Sequence, residues 1–191
     1  TPSTVEGLSA MLRATRPDLD LVSLERLEPE KDGIANPLIP IASGPSPNVA
    51  LAIDLSGGFE ALLERRSGKR KRKKHRAQIR KFEEAGGYRL IRAGTPEEVD
   101  TLLSAFFAMS EERFRRMGAG DAFAEPAVRA FFHRLYREAL EAPSPRFVLD
   151  GLEIGGRIRA VTGGSLLDAR MTCDFTAMDD SLLRKDTDGN V

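Results

Sequence analysis

The sequence predicts an α+β fold in which a mixed, mostly antiparallel sheet is flanked by helices. Hydrophobic residues make up 41% of the 191 residues and charged residues 30%, which is the composition of an ordinary globular protein. Two segments between residues 95 and 142 carry apolar residues at helical spacing. Three segments rich in alternating apolar residues follow, and the turns that join them are too short for anything but antiparallel pairing.

The N-terminal third is less regular than the rest of the chain. A helix is predicted over residues 3–15, which open with the Ser-x-x-Glu spacing of a capping box. Strands are predicted over 19–27 (LDLVSLERL) and 49–54 (VALAID), where apolar residues are frequent. The segment between them, 28–48, is rich in Pro and Gly and is predicted to be mostly loop.

A long basic helix is predicted from about residue 56 to residue 85, with Ser67–Gly68 as the point of any interruption. Residues 65–82 contain eleven Lys or Arg and no acidic residue, whereas the remaining residues carry 18 basic and 29 acidic side chains, a net charge of −11. The glycines of AGG (85–87) suit the left-handed turn that ends a helix. A basic helix beside an acidic body could dock against the acidic part of its own protein or bind one compact anion. Both interpretations are as compatible with the charge pattern as binding of a polymeric anion.

From residue 88 onward the pattern becomes regular. The first helix of this half begins with Thr95 as N-cap and Pro96 at its first position, and Gly155–Gly156 is a good two-residue hairpin turn. The predicted elements are a strand at 88–93, helices at 95–118 and 125–142, and strands at 146–154, 157–167 and 171–178. The methionines of this half are predicted to lie in the core; they are Met109, Met117, Met171 and Met178.

This order of elements resembles the first half of the acetyltransferase (GNAT) fold. The segments LERRSGKRKRKKHRAQIRKFEEAGGYRL, TPEEVDTLLSAFFAMSEERFRRMG and FAEPAVRAFFHRLYREAL resemble the cellulose-biosynthesis (CelD-like) branch of that superfamily, which is itself similar to the FemAB peptidoglycan aminoacyltransferases. The resemblance extends over residues 37–189, and the basic helix followed by EERFRRMG is its most specific part. The chain departs from the family in having no Trp and no later GDEPYK-like strand segment.

The resemblance implies two GNAT-like units joined by a linking helix. Residues 1–55 would be a remnant of the first unit, 56–87 the basic linking helix, and 88–191 an incomplete acetyltransferase domain. We expect the chain to be cut at both ends, because Thr1 has no Met before it and no closing element follows Val191.

The resemblance also implies acyl transfer from acyl-CoA, in particular acetyl-CoA, to an amine or hydroxyl of a sugar, polysaccharide or cell-envelope precursor. In this superfamily the cofactor pyrophosphate lies on backbone N–H groups where the fourth strand turns into the next helix, which would be Asp188, Gly189 and Asn190 here. The alternative is an ordinary turn, because the surrounding segment LRKDTDGNV (183–191) contains two aspartates, which would repel phosphate. Asp174 is the one carboxylate inside the third strand and is the candidate general base; its alternative is a solvent-facing strand residue.

Candidate anion contacts lie on two helices. Lys69, Arg72 and Arg76 share one face of the basic helix and are predicted to bind substrate, because basic side chains pair well with phosphate oxygens. Arg113 lies at the end of the helix that faces the acceptor cleft in the family, so it could hold an anionic acceptor. The alternatives are a solvated helix face for the first group and, for Arg113, the ordinary preference of cations for helix C-termini.

Several classes of function are disfavoured. The lone Cys173 cannot form an internal disulfide, and no stretch approaches the length of about 20 apolar residues that spans a membrane, so we expect a cytoplasmic protein. Two His and one Cys give no metal-ligand cluster, so no metal is expected. A nucleic-acid partner is not favoured, but two alternatives use one: FemAB-like aminoacyl transfer from charged tRNA, and a non-catalytic module that binds nucleic acid through the basic helix.

Overall fold

The computed structural model describes residues 5–22, 24, 27–31, 33–41, 44, 51–65 and 68–179. The chain divides after Arg65 into two compact units. Among the described residues, none of the helices is long and apolar enough to cross a membrane.

The first unit contains little regular structure. Its elements are helix α1 (Val5–Thr15), a two-residue antiparallel ladder of β1 (Glu30–Lys31) and β2 (Ile34–Ala35), a 3₁₀ turn (Ile39–Ile41) and helix α2 (Gly58–Arg65). The helix predicted over residues 3–15 is confirmed from Val5 onward.

The strands predicted at 19–27 and 49–54 are wrong. Of these two segments the structure describes residues 19–22, 24, 27 and 51–54, and none of these is in a strand. Leu21 and Leu51 are 81% and 90% exposed, so the apolar residues that suggested strands do not face a core. An isolated strand leaves its backbone groups unpaired, and frequent apolar residues cannot by themselves supply a partner strand.

The second unit has the predicted architecture. Its elements are α3 (Gly68–Glu84), β3 (Tyr88–Arg92), α4 (Pro96–Met117), α5 (Pro126–Glu141), β4 (Phe147–Ile154), β5 (Arg157–Leu167) and β6 (Arg170–Met178). The last four strands form one antiparallel sheet in the order β3-β4-β5-β6, as predicted. The basic segment is described as α2 and α3, and residues 66–67 lie outside the described part of the chain.

The start and end of α4 follow from local chemistry. The Thr95 hydroxyl accepts a hydrogen bond from the Glu98 N–H at 3.2 Å, and Pro96 occupies the first turn, where a missing N–H costs nothing. Gly118 ends the helix with φ +64, in the left-handed region that glycine tolerates, and its N–H bonds to carbonyls of the last turn.

Helices α4 and α5 pack together on the sheet and form the core with it. The buried side chains of this core include Leu102, Leu103 and Phe106 of α4, Tyr136 of α5, and Leu149 of β4. Each fully buried Leu or Phe stabilises the fold by about 1.5–3 kcal/mol relative to an exposed one. The helices approach closely because the sheet is smooth beneath them.

Gly151 is one such smooth point, since a Cβ there would lie 2.4 Å from Leu102 Cδ2. Gly163 is another, since its Cβ would lie 2.5 Å from the Tyr136 hydroxyl of α5. The predicted core positions of three methionines are wrong. Met117, Met171 and Met178 are exposed, because they lie at the end of α4 or along the edge strand β6, beyond the reach of the core. Met109 packs against the core as predicted.

The end of α3 is fixed to the sheet. The Gly87 N–H donates to the Phe82 carbonyl at 2.9 Å, which closes the last turn, and the Phe82 and Tyr88 rings lie 5.9 Å apart. The tip of the β4–β5 hairpin then docks here, where the Gly155 N–H donates to the Gly87 carbonyl at 3.0 Å. Gly155 and Gly156 have φ +56 and +74, as the predicted two-residue turn requires.

Candidate functional site

A cleft of about 450 Å³ lies between the last turns of α4 and the end of β6. Its lining residues are Arg113, Arg116, Met117, Thr176, Ala177 and Met178. Two cations and two thioethers line the cleft, and no acidic side chain does. The cleft therefore offers positive charge beside an apolar surface, which suits an anionic ligand with an apolar portion.

The arginines at the end of α4 differ in how they are held. Glu112 forms ion pairs with Arg115 at 2.6 Å and with Arg116 at 3.6 Å. Arg113 makes no hydrogen bond or ion pair with any residue that the structure describes. Arg113 therefore lines the cleft, and its guanidinium donors are unused by the described residues.

Asp174 occupies an irregularity in β6. Its neighbours Cys173 and Phe175 pair with Gly164 and Gly163 of β5, so the register passes over Asp174 and leaves it without a residue opposite. This is the arrangement of a β-bulge, which bends a strand and redirects its side chains. The carboxylate is exposed, and it lies on the strand that forms one wall of the cleft, although it is not itself among the lining residues.

The family described as acetyltransferase (GNAT) domain matches residues 69–186. The chain belongs to this family. The matched segment begins in α3 and contains the whole four-stranded sheet and both helices packed on it. The resemblance to the GNAT superfamily is thus confirmed, and it makes the domain an acyltransferase domain. No curated protein matches the chain at a significant level.

One wall of the cleft in this GNAT domain is an edge strand. β6 is the last strand of the sheet, so among the described residues no strand pairs with its outer edge. The end of β6 is held by Asp179, whose N–H donates to the Arg159 carbonyl at 2.7 Å and whose carboxylate pairs with the Arg159 guanidinium. The outer edge of β6 therefore presents backbone N–H groups, and the contacts of Asp179 hold the end of this strand in place.

Two polar side chains near Asp174 were missed from the sequence. The Ser165 hydroxyl donates a hydrogen bond to Asp174 Oδ1 at 3.1 Å. Tyr136 is buried beneath the sheet, and this burial raises the pKa of its phenol well above the ordinary value, with further contributions from the charges of Asp174 and Cys173. Tyr136 is therefore a neutral phenol at physiological pH. Neither residue could be singled out from the sequence, because Tyr136 occupies an apolar helix face and Ser165 an ordinary strand position.

The predicted substrate-binding residues on α3 lie apart from the cleft lining. None of the residues of α3 is buried, and none of Lys69, Arg72 and Arg76, hereafter the α3 triad, is among the lining residues of the cleft. Farther along the helix Arg80 pairs with Glu84 at 3.8 Å. The structure thus places Arg113 at the cleft and the α3 triad on an exposed helix.

The predicted phosphate-binding residues Asp188, Gly189 and Asn190 lie outside the described residues. Within the described ranges, no three His, Cys, Asp or Glu side chains converge into a group that could hold a metal ion.

The loop that follows the cleft is anchored by Arg129. Its Nε donates to the Phe123 carbonyl at 2.8 Å, and its guanidinium lies 3.8 Å from Asp121 Oδ2 and 5.1 Å from the centre of the Phe107 ring. The Asp121 side chain is only 11% exposed, and its Oδ1 accepts from the Phe123 N–H at 2.9 Å. These contacts tie the loop at 118–125, which follows Met117, to α5.

Proposed function

We propose that this GNAT domain transfers an acetyl group from acetyl-CoA to an amine or hydroxyl of a sugar, polysaccharide or cell-envelope precursor. The observation that supports this best is the cleft itself. It combines unpaired positive charge, an apolar surface and a bulged edge strand within a GNAT domain.

The described residues fit an acyl-CoA thioester. The outer edge of β6 has backbone groups without a strand partner in the described part of the chain, and the cleft beside it has cations but no acidic lining residue. Acetyl-CoA, when bound, supplies an acyl group activated as a thioester. N–H groups of β6 would orient and polarise the acyl carbonyl, as fixed donors do in acyl transfer. Asp188, Gly189 and Asn190 remain our proposed pyrophosphate contacts.

Asp174 is the proposed general base. Its place in the bulge frees its backbone from the regular register, and its carboxylate is open to solvent. Ser165 donates to Oδ1, so Oδ2 is the oxygen that takes the proton from the attacking amine or hydroxyl of the acceptor. Ser165 would thereby orient the base without taking part in the proton transfer.

The proposed substrate contacts are Arg113 in the cleft and the α3 triad on the basic helix. The domain is proposed to be of the cellulose-biosynthesis type, because the basic helix is followed by EERFRRMG at the end of α4. Residues 56–87 would link a first GNAT-like unit, of which 1–55 is a part, to the domain that begins at residue 88. The docking of the Gly155 turn on the end of α3 supports a helix that is tied to the domain rather than a free arm.

The test measures release of the CoA thiol by the full-length protein with a panel of amino sugars and polysaccharide precursors. Asp174→Asn should lower kcat by a factor of about 10²–10⁴, the usual contribution of a general base, and leave the Kd of acetyl-CoA nearly unchanged. The matched control is Asp168→Asn, an exposed carboxylate with φ +50, a conformation that asparagine tolerates.

Two outcomes would count against the proposal. A wild-type kcat in Asp174→Asn would place the base elsewhere. Transfer from charged tRNA without any consumption of acetyl-CoA would replace the proposed donor by that of the FemAB-like alternative.

A further inference from the structure

We propose that the acceptor is an acid: its carboxylate or phosphate binds Arg113, and an adjoining apolar segment lies between Met117 and Met178. This inference names the substrate class of the cleft and rests on the proposed function. A neutral sugar would form neither an ion pair with Arg113 nor an apolar contact with Met117 and Met178.

The charge of Arg113 carries the first step. Three arginines close α4, and a preference of cations for helix C-termini would explain all three equally. Only two of them are paired with Glu112, however, and Arg113 has no partner among the described residues. Arg113 is also one of the cleft residues, whereas Arg115 is not. Position and lack of a partner together distinguish Arg113 as the residue available to a ligand.

The second step is the apolar surface. Met117 and Met178 are 63% and 56% exposed although both belong to regular elements next to the core. Exposed thioethers that face one cleft are typical of a surface that adapts to an apolar ligand. Ala177, which is buried, adds a small apolar side chain to the same lining.

The third step is size and charge balance. A cleft of about 450 Å³ is in the range of small-molecule sites. No carboxylate lines it, and the partly open Arg116 adds a second positive charge at the same wall. A planar guanidinium binds a carboxylate or a phosphate through two parallel hydrogen bonds, so either oxyanion fits.

Binding of hexanoate tests the inference without requiring turnover. Isotope-labelled protein is titrated with hexanoate and with hexanol, which differ in the anion alone, while the amide signals of residues 113, 117 and 178 are followed. Hexanoate should bind at least about tenfold more tightly than hexanol, as expected for a charge-assisted pair in a partly enclosed site. Equal affinities would overturn the proposal, because the cleft would then be merely apolar.

Arg113→Met and Arg115→Met form a matched pair of variants. Both remove one cation from the same turn of α4 and keep an unbranched side chain, but only Arg113 lines the cleft. Hexanoate affinity should fall about tenfold or more in Arg113→Met and stay within about twofold in Arg115→Met. Similar losses in both variants would show a general effect of net charge and would refute a specific site.

A competition experiment separates the acceptor from the donor, whose phosphates have the same oxyanion chemistry. Hexanoate binding should persist at saturating CoA. Displacement of hexanoate by CoA would assign Arg113 to the donor and overturn the acceptor assignment. Calorimetry with CoA in the same samples keeps the two proposals distinct: an absence of CoA binding would count against the proposed function, and the hexanoate comparison would still decide the role of Arg113.

Discussion

Replacing Gly155 by Ala tests whether the end of the basic helix is part of the acetyltransferase domain. An added Cβ at Gly155 would lie 2.3 Å from the carbonyl oxygen of Ala85, in the turn that ends α3. Gly156, the other residue of the hairpin turn, has nothing within 4 Å of an added Cβ. Both residues have positive φ, +56 and +74, so Gly156→Ala is a control with the same kind of backbone strain.

The expected difference follows from these contacts. Each variant loses about 1–2 kcal/mol because Ala is disfavoured in the left-handed region. Gly155→Ala must in addition move the turn away from α3, at the cost of a steric clash of about 1–3 kcal/mol and a strained hydrogen bond to Gly87. The free energy of unfolding of Gly155→Ala should therefore lie about 1–3 kcal/mol below that of Gly156→Ala.

Urea unfolding followed by circular dichroism measures this difference, and thermal melts provide a second reading. For a protein of this size the two variants should differ in Tm by roughly 3–10 °C. Equal destabilisation of the two variants would refute the reasoning, because the end of α3 would then not rest on the hairpin turn in solution.

Three further predictions concern charge. The Arg137 guanidinium, and to a lesser extent His133, hold the pKa of Asp100 below its ordinary value. The pairing therefore contributes stability above about pH 4 and loses it as pH falls through the lowered pKa. Asp100→Asn should reduce stability at pH 7 by no more than about 1 kcal/mol, and this difference should shrink as pH falls through that pKa, as measured by urea unfolding. Arg129→Met should lower the free energy of unfolding by about 1–3 kcal/mol and speed amide hydrogen exchange in residues 118–125, because Asp121 would lose its cation. The control Arg134→Met removes only an exposed ion pair and should change the free energy of unfolding by less than about 0.5 kcal/mol. Charge reversal of the α3 triad to Glu should impair acetyl transfer and shift Tm by only a few degrees. The unaltered protein should bind duplex DNA with a Kd no tighter than about 10⁻⁴–10⁻⁶ M at physiological salt. Nanomolar DNA binding that the charge reversal abolishes would favour the nucleic-acid alternative.

The second unit could be predicted from the sequence because local residues mark where its helices and strands begin and end. Thr95 and Pro96 mark the start of α4, and Gly155–Gly156 fixes the hairpin between β4 and β5. Apolar periodicity then gives each element within a few residues of its observed bounds, and short turns dictate antiparallel order. The same reasoning failed at 19–27 and 49–54, since strand pairing is a non-local property that apolar residues alone do not provide.

The site could be predicted only in part. Arg113 was predicted to bind an anionic acceptor; it lines a cleft in the structure, and its role stays a prediction. The bulge at Asp174 could not be predicted, because register depends on how Phe175 packs over Gly163 across the sheet. The exposure of Met117 and Met178 could not be predicted either, since the cleft brings together segments about sixty residues apart. Methionine also packs readily in a core, so the residue type does not indicate exposure.

The proposed function requires that acetyl-CoA bind along β6. A titration of the isotope-labelled full-length protein with acetyl-CoA, followed through its backbone amide signals, measures this. We expect the largest shifts on residues 170–178 of β6, with β3 at the opposite edge of the sheet unaffected. Shifts concentrated on α3 or on β3, with β6 unchanged at saturating acetyl-CoA, would contradict it.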